Sequence, residues 1–289
     1  MTKTLLYLCY GKSRYQQEAM FAILSANYFL SESDGVDVVV YTDRPDEFIW
    51  LGVETRFLNP DILGSWMGAG TYPFRRKVAC LLDFLTERGG KVILADGDTY
   101  FLSNPAALFD RVGPGRHCLH MREIRLTQRT GTAGAILGQL FDTGAIRDLN
   151  GKPVALYPGE SMWNSGIIGV HADDHHMLRE ALHLMDEIWQ YEQRVHTVEQ
   201  FALGHVMHAG RLSEADDVVF HYWHDNLRKP FLGALPALLD RARAMPLPEA
   251  VQWSYTHRPT SSAGARVLAR IKSFVHKLGA DHRWTRNSA

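Results

Sequence analysis

Three short apolar runs, TLLYLCY, VDVVVYTD and KVILADGD, alternate with two stretches of helical period, RYQQEAMFAILSANYFLSES and FRRKVACLLDFLTER. This strand–helix–strand alternation limits the fold more than any other feature, because it is the pattern of a doubly wound, mainly parallel sheet with helices on its faces. Ligands of such sheets sit at the carboxyl ends of the strands. The residues that fall there are Tyr10 to Lys12, Thr42–Asp43 and Asp96–Asp98. Three separate stretches therefore point to one edge of one sheet.

The third of them, VILADGDTYFLSNP, ends an apolar run in two aspartates, Asp96 and Asp98. Two carboxylates so close repel and raise each other's pKa unless a cation neutralises them. At an open strand end a divalent cation fits, and oxygen ligands favour Mg²⁺ or Mn²⁺, which keeps waters and takes further ligands from substrate phosphates. A solvated pair with one Asp capping the next turn is the plain structural alternative. Two enzyme chemistries use the pattern. In a haloacid-dehalogenase-type phosphatase, which VILADGDT resembles, Asp96 would attack phosphorus and Asp98 would act as the acid. In a nucleotide-sugar enzyme the pair would instead seat a metal on the diphosphate. The phosphatase needs an acidic pair after a later strand, which Asp173–Asp174 after GIIGVH could supply.

Further along, NPAALFDRV reads as a short helix and residues 120–160 as irregular. MWNSGIIGVHADD reads as a strand, DHHMLREALHLMDEIWQYEQ and TVEQFALGHVMHAG as helices, and ADDVVFHYWHD as another strand. Four stretches, in order, resemble the GT-A-fold glycosyltransferases, and most of all the retaining galactosyl- and glucosyltransferases that include glycogenin and its bacterial family 8-like relatives. YPFRRKVACLLDFL followed by KVILADGDTYFLSNPAALF is similar to that family's Arg-x-Lys helix and Asp-x-Asp strand. MWNSGIIGVH is similar to its Asn-x-Gly strand, VEQFALGHVM to its Asp-Gln helix, and FHYWHDNLRKPF to its C-terminal His…Lys-Pro motif. The matches span about residues 1–232.

The resemblance implies a mixed, mainly parallel nucleotide-sugar-binding sheet and a hexosyltransferase that carries sugar from a nucleotide-diphosphate sugar, UDP favoured over GDP, to a saccharide or glycolipid. It places Mn²⁺ or Mg²⁺ on Asp96, Asp98 and His221, and Lys229 on the diphosphate. Asn164 would contact the donor sugar and Gln200 would lie by the anomeric carbon. Arg75 and Lys77 would lie near the diphosphate or sugar, and Tyr10 and Asp43 would hold base and ribose. Three departures stand out. His221 and Lys229 lie eight residues apart where the family has six, so His224 is a second candidate ligand; Glu199 stands where the family has Asp; and Tyr10–Gly11–Lys12 lacks the usual acidic or Asn residue. Glu160, Glu199 and Asp225 are candidate bases for an inverting reaction. A non-catalytic nucleotide-sugar binder is the remaining alternative. Trp163, Tyr222 and Trp223 are either core residues or sugar platforms.

One catalytic domain is expected over residues 1–250 and a basic, helical tail over 251–289. From residue 258 onward the tail carries seven Arg or Lys against Asp281, with Val267, Leu268, Ile271, Phe274, Val275 and Leu278 at helical spacing. Such a helix either caps the domain or lies on an anionic membrane surface. The net charge of −1 argues against nucleic acid as a partner. Cys9, Cys80 and Cys118 show no paired spacing, which fits a reducing cytosol, and MTKTLLYLCYGKS reads as a first strand rather than a signal peptide. A cytoplasmic enzyme, peripheral at the inner membrane face through its tail, is the resulting expectation.

Overall fold

The structure, a computed structural model, describes residues 1–126 and 132–259. In chain order the regular elements are β1 (Lys3–Cys9), α1 (Ser13–Asn27), β2 (Val36–Thr42), β3 (Glu54–Phe57), α2 (Pro60–Met67), α3 (Arg75–Arg88), β4 (Lys91–Ala95), β5 (Thr99–Phe101), α4 (Ala106–Phe109), β6 (Arg116–Arg125), α5 (Thr132–Asp142), β7 (Ser161–His171), α6 (His175–Tyr191), α7 (Val198–Met207), β8 (Arg211–Glu214), β9 (Val219–His221), α8 (Asp225–Arg243) and α9 (Leu247–Thr256).

Seven strands form one sheet in the order β3-β2-β1-β4-β7-β6-β8. All pairings are parallel except those of β7, which runs against both neighbours, β4 and β6. The period-two alternation of each strand divides the core between the two faces. On β4, Val92 and Leu94 pack with α3, α6 and α7, whereas Ile93 and Ala95 face α1 and α8. On β1, Leu6 takes the first side and Leu5 and Tyr7 the second. The three cysteines are buried free thiols.

Two findings depart from the sequence reading. Residues 120–160, expected to be irregular, contain most of β6 and all of α5. The β6 segment, RHCLHMREIR, interrupts its apolar positions with charge, and its register on β7 shifts twice, between Leu119 and Met121 and between Arg122 and Arg125. A bulged strand keeps no clean alternation to read. The second is that FHYWHDNLRKPF, read as a strand through Asp225 and assigned no helix, leaves β9 at His221 and enters α8 at Asp225, with Pro230 and Pro236 inside that helix. Proline weakens a helix locally, so sequence signals stop it where packing carries it on.

Helix α9 crosses the boundary expected at residue 250. Tyr255 stacks on Tyr28 at 4.0 Å, and the Arg258 guanidinium lies over the Tyr255 ring at 4.1 Å. The amphipathic segment proposed for membrane contact, within 260–289, lies outside the described residues. No described helix is long and apolar enough to cross a membrane.

Candidate metal centre

The end of β4 positions the two aspartates. Asp96 N donates to Gly166 O on β7 at 2.9 Å, and Thr99 Oγ1 donates to Asp96 O at 2.7 Å, which closes the Asp-Gly-Asp turn. Gly97 lets α1 approach: a Cβ there would lie 3.2 Å from Ala19 N. Strand β5 then pairs with β9 so that Thr99 faces His221, and Tyr222 N donates to Asp98 O at 3.0 Å. A residue some 120 positions downstream is thereby brought beside the turn. Asp96, Asp98 and His221 are the group among the described residues whose donor atoms lie close enough to share one ion, all within 4.8 Å of one another.

The hydrogen bonds of His221 aim its second ring nitrogen at the two aspartates. Asn164 Oδ1 accepts from Gly166 N at 3.0 Å, so that atom is the amide oxygen and not the nitrogen. The same oxygen lies 2.9 Å from His221 Nδ1, which must therefore carry the proton and donate. Nε2 then faces Asp98 Oδ1 at 3.2 Å and Asp96 Oδ2 at 3.9 Å. Lone pairs facing at that distance need a proton or a metal between them. A ligating imidazole whose other nitrogen donates to an oxygen is the usual arrangement of a metal-binding histidine. The donor set thus fits Mn²⁺ or Mg²⁺, with imidazole favouring Mn²⁺. Burial pushes the Asp98 carboxyl up, but His221, Arg228 and Lys77 outweigh it and hold its pKa well below the usual range. His224 does other work, as its Nδ1 accepts from Asn226 N at 3.3 Å and caps the exposed start of α8.

Lys77, 8% exposed on α3, reaches this centre. Its Nζ lies 2.8 Å from Asp96 Oδ1, 2.9 Å from Oδ2, 3.2 Å from Ser165 Oγ and 3.4 Å from Glu199 Oε1. Burial raises the Glu199 carboxyl, with Lys77 pulling it back. Tyr72 fixes that glutamate, because its hydroxyl accepts from Glu199 N at 3.0 Å and donates to His196 O at 2.8 Å. Gln200, the next residue, is half-buried on the same helix.

Other expected residues lie elsewhere or are otherwise engaged. Asn164 is buried, and besides its His221 and Gly166 bonds it donates to Glu123 at 3.3 Å. Asp43 braces the β1–α1 turn, accepting from Gly11 N and Gln16 Nε2, each at 2.9 Å. Tyr10 is half-buried, with its hydroxyl 3.3 Å from Arg76 Nη1. Arg75 is spent on packing, donating to both oxygens of Asp186 at 2.7 and 2.9 Å and to Trp66 O at 2.9 Å. Arg75→Ala is accordingly expected to lose about 2 kcal/mol of stability in thermal or urea melts and to leave nucleotide affinity unchanged. Glu160 is fully buried against His205 at 2.6 Å, and Asp225 is exposed in the first turn of α8. Tyr222 is core, stacked on Phe231 at 3.9 Å, while Trp163 and Trp223 are half-buried.

Lys229 is exposed. Its neighbour Arg228 points inward, with Nη1 3.1 Å from Asp98 Oδ2 and with Nε and Nη2 on Glu18. Sequence reading missed Arg228, Glu18 and Glu123. The available signal was an acid, Glu18, set within the otherwise apolar face EAMFAILSA.

The arrangement also separates the two readings of Asp-Gly-Asp-Thr. Because β7 is antiparallel, His171 pairs with Lys91 at the start of β4, while Ile167 pairs with Ala95 beside Asp96. Asp173 and Asp174, which follow β7, therefore lie at the opposite edge of the sheet and cannot complete a phosphatase site with Asp96.

No protein-family model matches the chain, and no curated protein matches it. Among solved structures, mouse xyloside xylosyltransferase 1 in its apo form overlaps it with a TM-score of 0.48 at 13% identity, covering 74% of this chain and 85% of that one. The apo structure of the bifunctional glycosyltransferase WbbM overlaps it with a TM-score of 0.47 at 14% identity, covering 74% of this chain and 38% of that one. Both neighbours are glycosyltransferases.

Proposed function

We propose that the protein is a metal-dependent glycosyltransferase whose donor is a nucleoside-diphosphate sugar, UDP-linked in preference to GDP-linked, and whose acceptor is a hydroxyl of a saccharide or glycolipid. The observation that carries the reading is the convergence of Asp96, Asp98 and an imidazole whose Nδ1 proton is committed to Asn164. Those three side chains would hold Mn²⁺ or Mg²⁺, which offsets the charge that develops on a departing diphosphate. The four motif stretches that resemble the glycogenin-like family support the same chemistry.

The chain's own residues prepare the site. Asn164 sets the tautomer of His221, Lys77 holds both oxygens of Asp96, and the β5–β9 ribbon fixes His221 against the turn. Glu199, buried beside Lys77, shares that lysine with Asp96. Preorganised groups of this kind need no rearrangement as charge moves.

Isothermal calorimetry with UDP and GDP, each with Mn²⁺ and with chelator, tests the proposal. UDP is expected to bind about tenfold or more tightly with Mn²⁺ than without, and Asp98→Ala should erase the difference. Metal-independent or absent affinity for both nucleotides would sink the reading. Nucleotide affinity without sugar transfer to any acceptor would instead leave a pure binder.

A further inference from the structure

The two carboxylates of the candidate centre each have a built-in counter-charge. Lys77 lies on Asp96, and Arg228 Nη1 lies 3.1 Å from Asp98 Oδ2. The second contact is anchored from outside the centre. Arg228 Nε donates to Glu18 Oε1 at 2.8 Å and Nη2 to Glu18 Oε2 at 2.6 Å. Glu18 sits on α1 and is 1% exposed, so its charge is tenable only with the guanidinium across it. The Arg228 side chain is itself about a quarter exposed, at 24%, so it borders the open end of the site.

Asp98 is shared. Its Oδ1 faces His221 Nε2 at 3.2 Å while Oδ2 faces Arg228. A guanidinium at that distance has opposite effects on two ligands. It repels a bare divalent ion entering a few ångströms away in a partly buried site. It attracts an anionic phosphate, to which it offers charge-assisted N–H donors. Lys77 and Arg228, which also face Glu199 and Glu18, each offset part of the charge on Asp96 and Asp98, so the assembled donor atoms draw a free ion less strongly than a bare pair of carboxylates would. A metal that arrives with a diphosphate meets its ligands and the cations for its anion together.

We propose that Arg228, anchored by Glu18, couples metal binding to nucleotide binding: it is the counter-charge of Asp98 in the metal-free protein and turns to the diphosphate when metal and nucleotide enter together. This rests on the metal–diphosphate reading above and names the side chain that links the two halves of the ligand. Lys229, one residue on and exposed, does not have this geometry.

The test measures Mn²⁺ alone, by the paramagnetic resonance of free Mn²⁺, and UDP with Mn²⁺, by calorimetry. The proteins are wild type, Arg228→Gln, Arg228→Lys and the double variant Glu18→Gln/Arg228→Gln. The double variant removes the buried carboxylate that the single change strands, so it keeps the experiment valid if Arg228→Gln fails to fold. Expected in the double variant is Mn²⁺ affinity equal to wild type or a fewfold tighter, with UDP affinity in Mn²⁺ about tenfold or more weaker. Arg228→Lys should recover part of the UDP affinity. General damage to the fold weakens both affinities, so a joint fall overturns the proposal, as does unchanged UDP affinity in the double variant. A wild type without Mn²⁺-dependent UDP affinity overturns the metal–diphosphate reading itself, whereas wild-type coupling that survives in the variants overturns only the role of Arg228.

Discussion

Gly166→Ala is expected to cost the candidate centre its histidine while leaving the sheet standing. A Cβ on Gly166 would lie 2.2 Å from His221 Nδ1, 2.6 Å from Cε1 and 2.8 Å from Cγ. The ring has nowhere to retreat without leaving Asn164 Oδ1 on one side and Asp98 Oδ1 on the other. The backbone at Gly166 is ordinary β, with no positive φ, so alanine is tolerated by the chain and rejected only by the imidazole. Overpacking of this sort costs about 1–3 kcal/mol in stability. The functional loss should be larger: Mn²⁺-dependent UDP affinity is expected to drop about 100-fold, at the upper end of what misorienting a metal-binding histidine does. Calorimetry and thermal melts on the same preparations separate the two effects. The double variant Gly166→Ala/His221→Ala should bind no more weakly than His221→Ala alone, because both changes remove one interaction. A Gly166→Ala protein with wild-type affinity would show that His221 contributes nothing to the site.

The close approach of Gly166 to His221 joins residues that no local sequence pattern relates. The strand ends at Asp43 and Asp96–Asp98 were legible because β1, β2 and β4 are buried on both faces and read as continuous apolar runs. The sequence singles out Asn164-Ser165-Gly166, but not what its side chains hold. The sequence offers Asn164 as a sugar contact, whereas its side-chain oxygen is already held by Gly166 N and His221 Nδ1. That depends on β9 folding back on β5, a pairing between residues more than a hundred positions apart that no local pattern encodes. The choice between Arg228 and Lys229 fails for a different reason. Adjacent residues on a helix point about 100° apart, so with no helix assigned to NLRKPF nothing decides which cation turns inward. Arg75 and Lys77 illustrate the same point on α3, one pinned to Asp186 on α6 and the other aimed into the centre.

Lys77→Met is expected to be the most destabilising single change at the centre and the one most repaired by metal. It leaves Asp96 without its cation and Glu199, 3% exposed, without the charge 3.4 Å away. Breaking a buried pair by removing one partner costs about 3–5 kcal/mol. The loss should vary with pH. Burial already raises the Glu199 pKa and Lys77 opposes that rise, so without the lysine the folded-state pKa climbs further above the unfolded value. A group with a raised folded pKa stabilises the fold below its unfolded pKa and loses that contribution as pH rises through the folded one. The melting temperature of the variant should therefore fall between mildly acidic and neutral pH more steeply than that of wild type. Lys77→Met/Glu199→Gln, which removes the stranded carboxylate, should recover much of the stability at neutral pH. Mn²⁺ supplies a cation to Asp96 from the other side, so it should raise the melting temperature of Lys77→Met by more than that of wild type. An equal or absent Mn²⁺ response in the variant would remove Asp96 from the metal seat and leave Asp98 and His221 as its only protein ligands among the described residues.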